Sequence, residues 1–344
     1  MRNKRMWLNE VSFMRPILLI LLVSYHAFAP YVGSWPLPDG IHDVEAYKWI
    51  SLLSRAFRLE GFVFISGYIF TFQIIERGKF PTFGSLLSSK VQRLLVPSVL
   101  FSLLYFLCFK DLKNIFSFCK EIVGGVGHLW YLPCLFVCFL AHYLLLKSKL
   151  SPKEIILILI IMAAFSFIPL PLHLNKPLYY MLFFYGGGLF WQNSQKIHEK
   201  ASISGTVIMW ILFLVCFVVF NLAMEFFSEI RESTDSRMIR VALYSANNLL
   251  KATLGWIGIT ACYLSAVRYC MEHNLSETII KIGACGYGVY VFHQFILVFL
   301  YRYTSLPQMT GSYLMPWVGF IITVVLSTTM AILIRMTSFG RKYL

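Results

Sequence analysis

The chain has 344 residues, 58% of them hydrophobic and 13% charged, against about 25% charged in an ordinary soluble domain. That balance excludes a water-soluble fold, a disordered chain and a disulfide scaffold, because apolar runs long enough to cross a bilayer recur from Pro16 to Ile334. A net charge of +14 would point to nucleic acid in a soluble protein, but here its distribution across the membrane has to be read first.

Apolar stretches of roughly 20 residues predict ten spans in chain order: 13–32, 58–75, 94–109, 127–146, 154–170, 177–193, 203–223, 240–267, 279–301 and 313–334. The fold class expected is therefore all-α, a polytopic membrane helix bundle of about ten transmembrane helices forming one domain over 1–344. The amino terminus, alternate loops and carboxyl terminus carry 17 Lys and Arg against 6 acids, and the opposite side 11 against 10. Arg15 and Lys251 remain inside spans. Basic residues of short loops stay cytoplasmic, so the skew places both termini inside and makes a nucleic-acid surface unnecessary.

The first apolar run lacks a small-residue cleavage site and is followed by Pro30, Trp35 and Pro36, so it is expected to stay in the protein. The longest outer segments are 33–57 and 224–239. With about ten residues after the last span, no appended soluble domain is expected. The eight cysteines lie mainly within spans, which predicts packing rather than disulfides. Cys134 and Cys138 share a helix face but lack a matching His or Cys cluster, so no metal is expected.

Ionisable groups inside spans are costly and point to function. In the first span Arg15 and His26 are eleven positions apart, which returns them to one helix face about 16 Å apart. Leu19 and Leu22 separate them, so a dry wall carries a cation at its cytoplasmic end and an imidazole deeper in. Snorkelling of Arg15 to the headgroups and a satisfied core His26 are the bland alternatives. Neutral His suits general-base work, while Arg holds its charge and forks onto phosphate oxygens. A long substrate with an anionic head and a reactive end, such as an acyl-coenzyme A, fits this spacing.

At these residues the chain resembles the membrane-bound acyltransferase 3 family, whose first span carries Arg, ten residues, then His. Further matches follow in the family's order. Phe62 to Phe70, FVFISGYIF, is similar to its second-span motif, and Gln92 to Pro97, QRLLVP, to the basic entry of its third span. Gly127 to Leu135, GHLWYLPCL, resembles the start of its fourth span, and Tyr287 to Gln294, YGVYVFHQ, its late "YGIYLiHq". The resemblance implies a ten-helix fold and acyl transfer from acyl-CoA to hydroxyl or amino groups, mostly on carbohydrates, with His26 catalytic and Arg15 its partner. The segment around Ser66 is most similar to sugar O-acetyltransferases of polysaccharide biosynthesis, without a fused extracytoplasmic hydrolase-like domain. Arg58 and Glu60 replace the His and Pro usual there, and Gly286 a common Ser, which bears on acceptor identity.

The resemblance also draws attention to residues with two readings each. Arg93 either adds a cation for the CoA phosphates or sets topology. Ser66 either contacts substrate or serves helix packing. His128 and Trp130 either meet a sugar or belong to the interfacial aromatic belt. Tyr244, Asn248, Lys251 and Gly255 share a helix face that should turn inward, with Lys251 either lining the acceptor path or pairing with an outer carboxylate such as Glu60. Tyr287, Tyr290 and His293 form a similar stripe in the ninth span, where His293 is a second acid or base, a substrate contact or a hydrogen-bonded core residue. Gly186, Gly187 and Gly188 lack a phosphate-loop context and predict tight packing.

The expected function is O-acyl transfer, acetyl first, from cytoplasmic acyl-CoA to a cell-surface or lipid-linked saccharide, in the bacterial cytoplasmic membrane, with His26 as general base or transient acyl carrier and Arg15 positioning the CoA. No permanently bound cofactor and no nucleic acid is expected, and the oligomeric state stays open. The rival reading is a flippase for a lipid-linked glycan.

Overall fold

The computed structural model describes residues 8–110 and 114–343. Among the described residues there is no strand; the chain forms helices α1 (Asn9–Ala27), α2 (Glu45–Arg55), α3 (Arg58–Ile75), α4 (Phe83–Lys90), α5 (Val96–Phe109), α6 (Ile115–Gly124), α7 (Tyr131–Lys147), α8 (Pro152–Ala164), α9 (Asn175–Gln192), α10 (Ser194–Lys200), α11 (Ile203–Ser233), α12 (Arg237–Glu272), α13 (Glu277–Tyr303), α14 (Leu306–Met336) and α15 (Ser338–Tyr343). The expected helical membrane bundle is what forms.

Among the described residues, eight helical stretches are long and apolar enough to span: Asn9–Ala27, Glu45–Ile75, Phe83–Phe109, Gly127–Lys147, Ile203–Ser233, Arg237–Glu272, Glu277–Tyr303 and Leu306–Met336. The expected spans 154–170 and 177–193 correspond to α8 and α9. With 13 residues, α8 rises about 20 Å, short of a hydrocarbon core of roughly 30 Å. Tyrosines, glycines and polar ends dilute the apolar character of α9, and protein buries most of it. A helix sheathed by protein does not need lipid-like side chains. The converse is α11, the most apolar span, only 11% of which is buried against the rest of the chain.

The chain divides into two compact units, residues 1–59 with 269–344, and residues 60–268. In unit 1, α13 is the central helix. Its glycines 283 and 286 accept α1: a Cβ at Gly283 would lie 3.7 Å from the Arg15 Cβ, and one at Gly286 3.0 Å from the Leu19 Cδ1. Interior glycine costs about 1 kcal/mol per residue in a helix, here offset by close backbone approach. Contacts of Gly283 with Arg15, Gly286 with Leu19 and Tyr301 with Ala27 advance together along both helices, so α1 and α13 are parallel. Those of Ala284 with Arg335, Gly288 with Ala331 and Tyr301 with Gly319 run oppositely, so α14 is antiparallel to α13. The first residues of α1 and the last of α14 therefore lie at the same end of unit 1.

A cap closes the other end. Phe28, Tyr31, Tyr47 and Trp317 pack edge to face, Tyr47 Oη donates to the Tyr313 carbonyl at 2.7 Å, and Tyr31 Oη donates to that of Ser312 at 2.5 Å. Burial, aided by Tyr47 and Asp43, pushes the Tyr31 phenol up, so it stays protonated as the donor this contact requires. Gly33, at φ 67°, turns the chain from this cap over the end of α1.

In unit 2 glycines again set the packing. A Cβ on Gly67 of α3 would run into the Phe184 carbonyl oxygen of α9, and one on Gly187 into that of Phe64. Gly186 faces the Trp256 indole and Gly188 faces Thr71 and His142. The glycine triplet is thus a packing surface.

Candidate functional site

In α1 the acid of the first turn is Glu10 and the base of the last turn is His26, both matched to the helix dipole. Pro16 removes the amide hydrogen that Ser12 O would accept, and that carbonyl lies 3.6 Å from a Cβ built on Gly283. Arg15 therefore stands where α1 has an open carbonyl and α13 has no side chain. Leu19 and Leu22 are buried along the same face, which ends at His26.

Here the structure adds what spacing could not show. The His26 and His293 rings are 4.9 Å apart, centroid to centroid, at 50°. His293 is fully buried. Its Nδ1 lies 2.7 Å from the Tyr290 carbonyl and 3.1 Å from that of Val289. A carbonyl only accepts, so Nδ1 carries the hydrogen and Nε2 of the neutral ring is the lone-pair nitrogen. Tyr290 flanks His293 at 6.2 Å and Tyr287 stacks on Tyr290, so the expected stripe on α13 faces His26.

Tyr25 meets His26 edge to face at 4.9 Å, and Trp35 lies 5.8 Å from His26 over the end of the helix. Tyr25 Oη is 3.0 Å from Ser34 Oγ. Arg58 is buried with its guanidinium 3.6 Å above the Tyr25 ring, a cation–π contact. Tyr25 and Trp35 were not legible as site residues, although one adjoins His26 in sequence, because nothing local says that the chain turns back at Gly33.

The remaining predicted residues lie in unit 2 and do not form one group. Ser66 Oγ donates to the Phe62 carbonyl at 2.8 Å within its own helix. Arg93 is exposed on the π-turn Val91–Leu95 that leads into α5. His128 is buried against Tyr105 at 6.4 Å, whereas Trp130 faces Tyr180 at 6.0 Å and Lys176 at 5.4 Å. Lys251 pairs with buried Glu60 at 3.5 Å and lies 4.7 Å over the Tyr179 ring, while Tyr179 Oη donates to Glu60 Oε1 at 3.3 Å. The stripe does turn inward: Asn248 donates to Ser166 Oγ at 3.0 Å and Gly255 faces Glu60. Sequence reasoning passed over His142, buried on α7 with Nε2 2.9 Å from Thr71 Oγ1.

The Glu60 pair has a testable asymmetry. Lys251→Met leaves a buried carboxylate with Tyr179 alone and is expected to cost about 2 kcal/mol after allowance for the half-exposed Lys251. Glu60→Gln keeps an acceptor for Tyr179 and lets Lys251 reach water, at a cost below about 1 kcal/mol. Thermal unfolding in detergent should show the double variant recovering most of the Lys251→Met loss. Additive losses would mean that the two groups are uncoupled.

The geometry defines a helical membrane protein with an imidazole pair, half-buried His26 against fully buried His293, an Arg on the same helix face and a ring of aromatic groups. The acyltransferase domain model matches residues 8–336, so the chain belongs to the acyltransferase 3 family and is a membrane acyltransferase. No curated protein and no solved structure matches it.

Proposed function

We propose that the protein transfers an acyl group, most simply acetyl, from cytoplasmic acyl-CoA to a hydroxyl of a cell-surface or lipid-linked saccharide in the bacterial cytoplasmic membrane, with both termini cytoplasmic. The observation that carries the reading is the approach of His26 to His293 at 4.9 Å, on the α1 face that begins at Arg15. Arg15 binds the donor's phosphates as a fixed cation. The thioester extends along the dry Leu19 and Leu22 face towards His26.

His26 takes the proton of the acceptor hydroxyl while its oxygen bonds to the thioester carbonyl carbon. The tetrahedral intermediate collapses with loss of the carbon–sulfur bond, and the departing thiolate takes the proton from His26. His293, its Nδ1–H held by backbone carbonyls, positions His26 and its proton. Tyr290 and Arg58 shape the approach for substrate.

The test is mass analysis of cell-surface glycans with and without the gene, beside acetyl-CoA cleavage by purified protein. Loss of an acyl substituent together with acceptor-dependent release of CoA is expected. Unchanged acylation with altered glycan export would instead indicate a flippase.

A further inference from the structure

The end of unit 2 that carries Trp130 holds more positive charge than its architecture uses. Lys251 is neutralised by Glu60. Lys176, in the first turn of α9, lies over the Trp130 ring and close enough to Lys251 for the two ammonium groups to repel. Among the described residues it has no carboxylate within ion-pair distance, and neither does the exposed Lys120, whose neighbour Glu121 pairs with Lys110. His173 is within electrostatic reach of Lys176 and Lys120; burial, then these two cations, hold its pKa down, so it adds no further charge near neutral pH.

The surroundings are those of a binding surface. Trp130 is half-buried and is backed by two buried rings, Tyr180 at 6.0 Å from Trp130 and Tyr179 at 5.1 Å from Tyr180. Leu172 and His173 both adopt left-handed backbone, φ 53° and 59°, a conformation that costs non-glycine residues energy and collects at functional sites. They bring the imidazole against Gly124, where a Cβ would lie 3.6 Å from His173 Cδ2. Positive charge is needed on the cytoplasmic side to set topology. In the proposed topology the Trp130 end is extracytoplasmic, and lysines gathered beside an aromatic ring there need another reason.

We infer that this surface binds an acceptor bearing an anionic group, a carboxylate or phosphate that meets Lys176 beside Trp130, with the sugar ring against the accessible part of the Trp130 indole. The inference rests on the acyltransfer reading for its occupant, since an acceptor is what a second binding surface of a transferase would hold. Lys176 and Trp130 select the acceptor; Glu60 and Tyr179 hold Lys251 in place.

The test is binding to the full chain in detergent, by microscale thermophoresis, with three probes: hexagalacturonate, neutral maltohexaose and farnesyl diphosphate. One or both anions should bind more tightly than maltohexaose, with a preference that shrinks as salt rises. Removing one solvent-facing cation should weaken anion binding about two- to fivefold, so Lys176→Gln lowers the preference by that factor and Lys176→Glu by more. Both substitutions are on an exposed side chain and should leave thermal stability unchanged. Binding of hexagalacturonate alone places the charge on the sugar; binding of farnesyl diphosphate alone places it on a lipid carrier. Equal affinity for all three probes, or a preference that survives Lys176→Glu, overturns the inference. Acetyl-CoA cleavage measured in parallel separates the two readings: cleavage without anion preference defeats only the acceptor class, and Lys176-dependent anion binding without cleavage defeats only the donor reaction.

Discussion

His26→Ala is expected to abolish acceptor-dependent acetyl-CoA cleavage, lowering kcat by about 10²- to 10⁴-fold, the usual contribution of a positioned general base. The side chain is only half-buried, so the variant should purify and unfold like the parent. His293→Gln should lower kcat to a lesser degree, because its ring lies 4.9 Å from His26 and acts through it. Arg15→Ala should act mainly on KM for acyl-CoA, since a fixed cation on the donor's phosphates binds ground state and transition state alike. Steady-state kinetics on the three variants separate these roles. A His26→Ala enzyme with parental kcat would remove the imidazole pair from the mechanism, and an Arg15→Ala effect confined to kcat would remove Arg15 from donor binding.

Gly187→Ala should cost more stability than any exposed substitution in unit 2. The added methyl would overlap the Phe64 carbonyl oxygen and stand 2.9 Å from the Tyr68 nitrogen, both backbone atoms of α3. Backbone cannot rotate away as a side chain does, so α3 and α9 must separate. Overpacking typically costs about 1–3 kcal/mol, and a clash with backbone belongs at the top of that range. Gly67→Ala, which meets the Phe184 carbonyl from the other helix, should do the same. Gly84 supplies the control: a Cβ there meets nothing within 4 Å. With helical backbone in α4, Gly84→Ala should be neutral or stabilise by about 0.4–1 kcal/mol through the unfolded chain. Thermal unfolding in one detergent gives all three values. An unchanged melting temperature for Gly187→Ala would mean that α3 and α9 do not approach at these glycines.

The acceptor surface and the imidazole pair differ in how they could be found. Arg15 and His26 belong to one helix, and a period of 3.6 residues is enough to place them on one face. Lys251 was legible as part of an inward stripe for the same reason, and pairing with Glu60 was one of its two readings, but the stripe could not choose between them. Glu60 belongs to another helix, and the choice between acceptor path and ion pair was made by Gly255, which lets Glu60 approach α12. Lys176 drew no attention because it lies outside a span and its pairing with the Trp130 ring crosses two segments. The span count diverged where hydropathy stops measuring what matters: α9 is buried by protein, so its tyrosines and glycines answer to neighbouring helices and not to lipid.

By itself the sequence determined that this chain is a helical membrane protein, where its long helices run, that Arg15 and His26 share a face, and which family it resembles. Those properties are local, set by hydropathy and helical period over at most a few turns. Only the tertiary structure decided that His26 faces His293, that Trp35 folds over His26, and that Lys251 is held by Glu60 and Tyr179. The meetings of His26 with His293 and of Lys251 with Glu60 and Tyr179 require helices distant in sequence to approach closely, whereas Trp35 returns through the turn at Gly33. Glycines on α13, α9 and α12 permit that approach, and which helix a glycine admits is decided by how the whole chain packs.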